Sequence, residues 1–195
     1  MFADFITGHY VEILGVAGSL IYLYFSVRQN IWLWPFGIVS SGLFIYIFFT
    51  TGFYADMGLQ IYYLFISIYG WYHWVHGKSG REIGELQVTR APGKVLIASG
   101  LIFLVLLAAI GIVLDRFTDS TVPWGDSFTT AGSIIATWML ARKIIQHWLL
   151  WIVVDSVAAG LYLFKGLYPT TGLYIIYAGI SVTGYFQWKT NLQPS

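Results

Sequence analysis

Residues 131–188 read AGSIIATWMLARKIIQHWLLWIVVDSVAAGLYLFKGLYPTTGLYIIYAGISVTGYFQW. Residues 17–74, AGSLIYLYFSVRQNIWLWPFGIVSSGLFIYIFFTTGFYADMGLQIYYLFISIYGWYHW, fall on them at a constant shift of 114 with no gap. The two stretches share 19 identities in 58 positions. Shared membrane composition does not explain them, because the matches include Arg28 on Arg142, Trp34 on Trp148, Gly70 on Gly184 and Trp74 on Trp188. Gly52 and Tyr54 likewise fall on Gly166 and Tyr168, and Ser67 on Ser181. Self-similarity in one fixed register marks a duplicated structural unit.

Each copy holds three apolar runs, at 10–27, 31–50 and 57–76 and again at 127–141, 146–164 and 170–188, with a seventh at 94–114 between them. A helix needs roughly 20 apolar residues to cross the hydrocarbon core, and these runs approach that length; the fifth is the shortest and is rich in Thr and Ser. The reading is an all-α integral membrane protein of seven transmembrane helices in a 3+1+3 arrangement. It forms a single membrane domain over 1–195, with repeats at 10–76 and 127–188 and a linking helix at 94–114. Three helices are an odd number, so a directly joined second copy would be inverted. The linking helix restores its orientation and makes the repeats parallel about an axis along the membrane normal. Transporters are often built from such repeats, with the substrate held near the midplane.

Composition agrees. Of 195 residues, 57% are hydrophobic and only 10% charged, against about 25% charged in soluble domains. A net charge of +1 leaves no basic patch for nucleic acid, and zero cysteines exclude disulfides and thiolate metal sites. Met1 to Tyr10 contains Asp4 and no Lys or Arg, unlike the basic start of a cleaved signal peptide, so the first span is expected to stay. Residues 77–93 (GKSGREIGELQVTRAPG) and 115–126 (DRFTDSTVPWGD) read as polar, exposed loops. Alternate sides of the seven spans carry eight Lys and Arg against two. The positive-inside rule then puts the N-terminus outside and the C-terminus in the cytoplasm, in the cell (inner) membrane. Trp32, Trp34, Trp74, Trp124 and Trp188 lie near span ends, where aromatic side chains anchor at the interface.

The sharpest chemistry lies in the sixth span. Trp148, Trp151 and Asp155 are spaced i, i+3, i+7 and share one helix face. Asp155 falls roughly 12 Å into its span, where a carboxylate costs about 2.5–3.5 kcal/mol and faces a cavity or a polar partner. One reading has Asp155 orienting a cationic or polar substrate while the tryptophans stack on it. The other has it tying two helices together. In the third and seventh spans, Gln60, Tyr63, Ser67, Gly70 and Trp74 repeat as Tyr174, Tyr177, Ser181, Gly184 and Trp188. The Ser and Gly positions read as close helix contacts, whereas Gln60 and Tyr63 need partners at membrane depth. Ser40, Ser41 and Thr183 are also polar and intramembrane, though such hydroxyls often bond their own backbone. An aromatic cavity with one acid suits a flat cation. Enzymatic patterns are missing: His9, His73, His76 and His147 form no haem pair, zinc motif or catalytic triad, and no cofactor or metal is expected. The lone mid-span carboxylate favours facilitated diffusion, with a proton-coupled carrier using Asp155 as the alternative.

At these residues the chain resembles the Pnu family of vitamin transporters. The resemblance covers nearly the whole sequence and rests on GLQIYYLFISIYGWYHW (58–74), RKIIQHWLLWIVVD (142–155) and the closing GLY…GYFQW. It implies a fold related to the SWEET sugar transporters and a uniporter whose vitamin is trapped by phosphorylation inside the cell. It also implies that Trp148, Trp151 and the residue at 155 line the site, with Gln60 opposite. Asp155 and Thr183 stand where asparagine is expected of a nicotinamide riboside carrier, and thiamine carriers belong to the same family. The substrate-binding set is therefore Trp148, Trp151, Asp155, Gln60, Tyr63, Thr183 and Ser41, for nicotinamide riboside first and thiamine second. The expected partners are this vitamin substrate and the lipid bilayer, with a homo-oligomer left open. The trapping kinase acts downstream without required contact.

Overall fold

The computed structural model describes residues 17–51, 54–79, 82–83 and 86–192. Seven helices follow one another among them: α1 (Ala17–Val27), α2 (Leu33–Thr51), α3 (Tyr54–His76), α4 (Gly93–Phe117), α5 (Pro123–Ala141), α6 (Gln146–Phe164) and α7 (Tyr168–Thr190). Each matches one of the seven apolar runs, although 10–16 of the first lies outside the described residues. The fifth run, read as the shortest, is a full 19-residue helix. Pro123 starts it at a position where the missing N–H costs nothing.

Among the described residues, two helices meet the length and apolarity of a membrane span without help: α4, with a mean hydropathy of 2.9, and α6, with 1.5. The surface of α4 shows where those side chains go. Leu101, Leu104, Val105, Ile112 and Val113 all point outward. A soluble protein would cover such a face, and here hydrocarbon does. Polar residues of α3, α5 and α7 lower their hydropathy, and several, including Ser67, Ser127, Thr137 and Ser181, are buried in protein.

The chain divides into two compact units, Met1–Tyr72 and His73–Ser195. In the second, α4 packs on α5, α5 on α6 and α6 on α7. In the first, α2 meets α3 where Trp34 covers Gly70 and where Gly37 faces Ser67 and Tyr22.

The repeat register is visible in the backbone. Gln29 (φ 53°) and Lys143 (φ 50°) are the two non-glycine residues with positive φ among the described residues, and they lie 114 apart. Each breaks the chain at the same point, between α1 and α2 and between α5 and α6. The turn from α6 to α7 uses glycine instead. Gly166 adopts φ 75°, and Leu167 N–H reaches back to Tyr162 O at 2.9 Å, closing the helix as a left-handed glycine cap does. Gly166→Ala forces Cβ into that conformation and should lower stability by about 1–2 kcal/mol, read as a fall in Tm in detergent with uptake kinetics unchanged in the folded fraction.

Two expectations need correction. The segment 77–93 is more than an exposed loop. Lys78–Ser79 pairs antiparallel with Glu82–Ile83, and Val88 and Ala91 are buried. Thr89 N–H donates to Lys143 O at 3.0 Å and Ile145 N–H to Thr89 O at 3.0 Å. Ala91 N–H donates to Gln146 Oε1 at 3.0 Å. Residues 88–91 are thus strapped across the α5–α6 turn. The segment is hydrophilic on average, but its small apolar residues point inward. The second correction concerns the tryptophans. Trp32 and Trp124 are exposed as interfacial anchors should be, whereas Trp34, Trp74 and Trp188 are buried in protein. Glycine decides the difference for Trp34: Gly70 leaves a flat place into which the ring fits.

Candidate functional site

The site is built on α6 and α7. Position 155 is nine residues into α6, roughly 14 Å along the helix axis, close to half of a hydrocarbon core about 30 Å thick. Asp155 is 4% exposed, and Ser181 of α7 donates a buried hydrogen bond to its Oδ2 at 3.4 Å. That bond is long, and one serine satisfies little of a carboxylate's acceptor capacity. On the same face of α6, Trp148 is buried and Trp151 half-buried. The Trp148 ring lies on Gly184: a Cβ there would come within 2.6 Å of its Cζ2. The Ser181 and Gly184 stripe, read as general helix packing, therefore has specific counterparts in Asp155 and Trp148.

An aromatic lane extends from this point in both directions. Toward the α5–α6 turn, His147 lies 4.5 Å from Trp148 and 4.6 Å from Trp188, between ring centroids, and Trp74 lies 6.2 Å from Trp188. Lys143 Nζ sits over the Trp74 ring, 4.4 Å from its centroid. In the other direction Tyr174 pairs with Tyr162 at 5.0 Å and with Tyr177 at 5.5 Å. His147 Nδ1 is 2.7 Å from Ile144 O, so it carries the proton and donates, which leaves Nε2 as an acceptor. Nε2 and the Trp148 indole N–H are both buried without a hydrogen-bond partner among the described residues. Buried polar atoms are normally paired, so a donor and an acceptor left over at one aromatic cluster suit a ligand with complementary groups. Sequence reasoning missed Ser181, His147, Trp188 and Tyr162 as members of this lane. The signal for Ser181 and Trp188 was their place in the stripe, three residues before and four after Gly184; His147 and Tyr162 gave none beyond aromaticity.

Of the other expected site residues, Ser41 is buried on α2, and Gln60 and Tyr63 are half-buried on α3, all in the first unit. Thr183 does not join Asp155. It lies roughly 200° around α7 from Ser181, is exposed, and donates its hydroxyl to Gly179 O at 3.1 Å.

Placing the two units in repeat register shows what the duplication kept. Trp34 on Gly70 matches Trp148 on Gly184, and Ser67 matches Ser181. Asp155, however, falls on Ser41, and Trp151 falls on Gly37. Both copies keep the tryptophan lock, while the carboxylate and the second tryptophan belong to the second copy alone.

Comparison with known proteins agrees with this architecture. A crystal structure of the vitamin B3 transporter PnuC shares the fold, with a TM-score of 0.71, 20% identity, and coverage of 96% of this chain and 83% of that one. The nicotinamide riboside transporter PnuC of Escherichia coli K12 is 25% identical over 203 residues, 92% of this chain and 84% of that protein. The riboflavin/roseoflavin transporter RibM of Streptomyces davaonensis is 27% identical over 181 residues, 91% of this chain and 83% of that protein. The family described as nicotinamide mononucleotide transporter matches residues 9–190. The chain therefore belongs to that family of integral membrane transporters.

Proposed function

We propose that the protein is a uniporter for nicotinamide riboside, working by facilitated diffusion. The observation that carries this reading is Asp155, a carboxylate at the middle of a transmembrane helix whose one hydrogen bond among the described residues is the long one from Ser181, set on the same face as Trp148 and Trp151. A flat pyridinium cation matches it: the ring stacks on indole, the positive charge is drawn to indole faces and to the carboxylate, and the hydroxyls seek polar partners. Related carriers of nicotinamide riboside support the choice. The N-terminus lies outside and the C-terminus in the cytoplasm of the inner membrane, and a cytosolic kinase that phosphorylates the vitamin makes net uptake one-way.

Two other readings rest on particular observations. Riboflavin is favoured by the RibM relative, and thiamine, another flat cation, by the acid at 155. Calorimetry on purified protein with nicotinamide riboside, riboflavin and thiamine in parallel separates them. Nicotinamide riboside should bind most tightly, and tightest binding of either other vitamin reassigns the substrate. In proteoliposomes, uptake should equilibrate without an ion gradient. Accumulation that collapses with a proton ionophore would instead show Asp155 to be a coupling site. The first unit is tested in the same assay by Gln60→Ala, with weaker binding expected if its polar residues contribute.

A further inference from the structure

On α6 and α7 the site residues recur at a spacing of seven. Trp148, Asp155 and Tyr162 stand on α6, and Trp188, Ser181 and Tyr174 on α7, which runs the opposite way. Seven residues return to the same helix face, so the two faces meet in three rungs about 10 Å apart. Trp148 meets Trp188 at 5.8 Å between ring centroids, Ser181 donates to Asp155 at 3.4 Å, and Tyr162 meets Tyr174 at 5.0 Å. The midplane carboxylate therefore has an aromatic pair two turns away on either side.

The two pairs are held differently. Trp148 is pressed on Gly184, and Trp188 is fully buried with His147 and Trp74 against it. Tyr162 and Tyr174 are only half-buried, and so is Tyr177, the ring beside them. No glycine clamps these rings: a Cβ on Gly160 or Gly172, at the same end of α6 and α7, meets nothing within 4 Å. Side-chain rotation is thus easier at the tyrosines than at the tryptophans. Asp155, 4% exposed, is out of reach of a solute in this state, and a substrate arriving at it needs one pair to part first.

We propose that Tyr162 and Tyr174 form the outer lid of the Asp155 site, parting to admit substrate while Trp148 and Trp188 stay shut. The lid rests on the site and the orientation proposed above, in which α6 ends and α7 begins at the outer surface. Each parted ring offers its π face to an entering cation, which then passes to the carboxylate about 10 Å further in.

The chain has no cysteine, so a single introduced thiol reports access. Ala159 is buried on the Asp155 face of α6, between Asp155 and Tyr162. Labelling of Ala159→Cys by a membrane-impermeant methanethiosulfonate is timed on the full chain in right-side-out and inside-out vesicles. Adding Tyr174→Ala should speed labelling from outside about tenfold, as for the loss of one aromatic pair, and leave labelling from the cytoplasmic face unchanged. Tyr162→Ala should do the same, and Tyr174→Phe, which keeps the ring, should label at the parent rate. No acceleration overturns the proposal. Acceleration from the cytoplasmic face, alone or together with the outside, also overturns it, the latter marking a loosened bundle. Asp119→Cys, exposed on the α4–α5 loop at the same end, reads the orientation separately. Its labelling from the cytoplasmic face alone overturns that orientation, and the outward direction of the lid with it.

Discussion

Asp155→Asn is expected to weaken vitamin binding and at the same time raise the melting temperature. The substitution keeps the volume and leaves an oxygen for Ser181, so only the charge is lost. If that charge serves a cationic substrate, its removal should cost about 1.5–3 kcal/mol of binding, or roughly 10- to 150-fold in affinity. A mid-membrane charge is itself unfavourable by about 2.5–3.5 kcal/mol, so the unliganded protein should be more stable without it. Residues kept for function at the expense of stability behave in this way. Calorimetry and thermal unfolding on one preparation read both effects. A lower Tm with unchanged affinity would assign Asp155 to holding α6 against α7.

Gly184→Val should be the most damaging substitution of a single small residue. The Trp148 ring already occupies the space of the missing side chain, and it has little room to retreat, with His147 at 4.5 Å and Trp188 at 5.8 Å. Overpacking of this kind costs about 1–3 kcal/mol, and relief requires Trp148 to leave the face it shares with Asp155. Transport should fall by more than about tenfold, since each 1.4 kcal/mol is a factor of ten. Gly70→Val should do the same to Trp34 in the first unit. Gly179→Ala is the control: nothing lies within 4 Å of its added Cβ, and helix propensity improves by about 1 kcal/mol. Near-wild-type uptake by Gly184→Val would show that Trp148 need not keep this position.

Much of the fold was legible because lipid imposes a coarse rule. Apolar runs of span length became helices, and the constant shift of 114 anticipated the matched breaks at Gln29 and Lys143. Residues 86–92 were harder to read, since Val88 and Ala91 are small, isolated and surrounded by polar neighbours, and only tertiary contact shows that they face inward. Trp34, Trp74 and Trp188 were misread for a related reason: a tryptophan near a span end looks the same in sequence whether its ring meets headgroups or protein. At the site, the i, i+3, i+7 spacing of Trp148, Trp151 and Asp155 correctly gave a shared face. Ser181 was assigned to packing because a serine on a helix carries no mark of the acid it will meet. Thr183 was included on its polarity and on the family resemblance, and its hydroxyl donates to Gly179 O of its own helix.

The tryptophan locks bear on how a duplicated gene diverges. After duplication both copies inherited the same architecture and were free to specialise. Steric fit has remained in each, since Trp34 needs Gly70 as Trp148 needs Gly184. The acid stands in one copy, where the other has Ser41. Saturation mutagenesis under selection for uptake should expose that history as an asymmetric tolerance map. Positions 34 and 70 should be as intolerant as 148 and 184, whereas position 41 should accept substitutions that position 155 refuses.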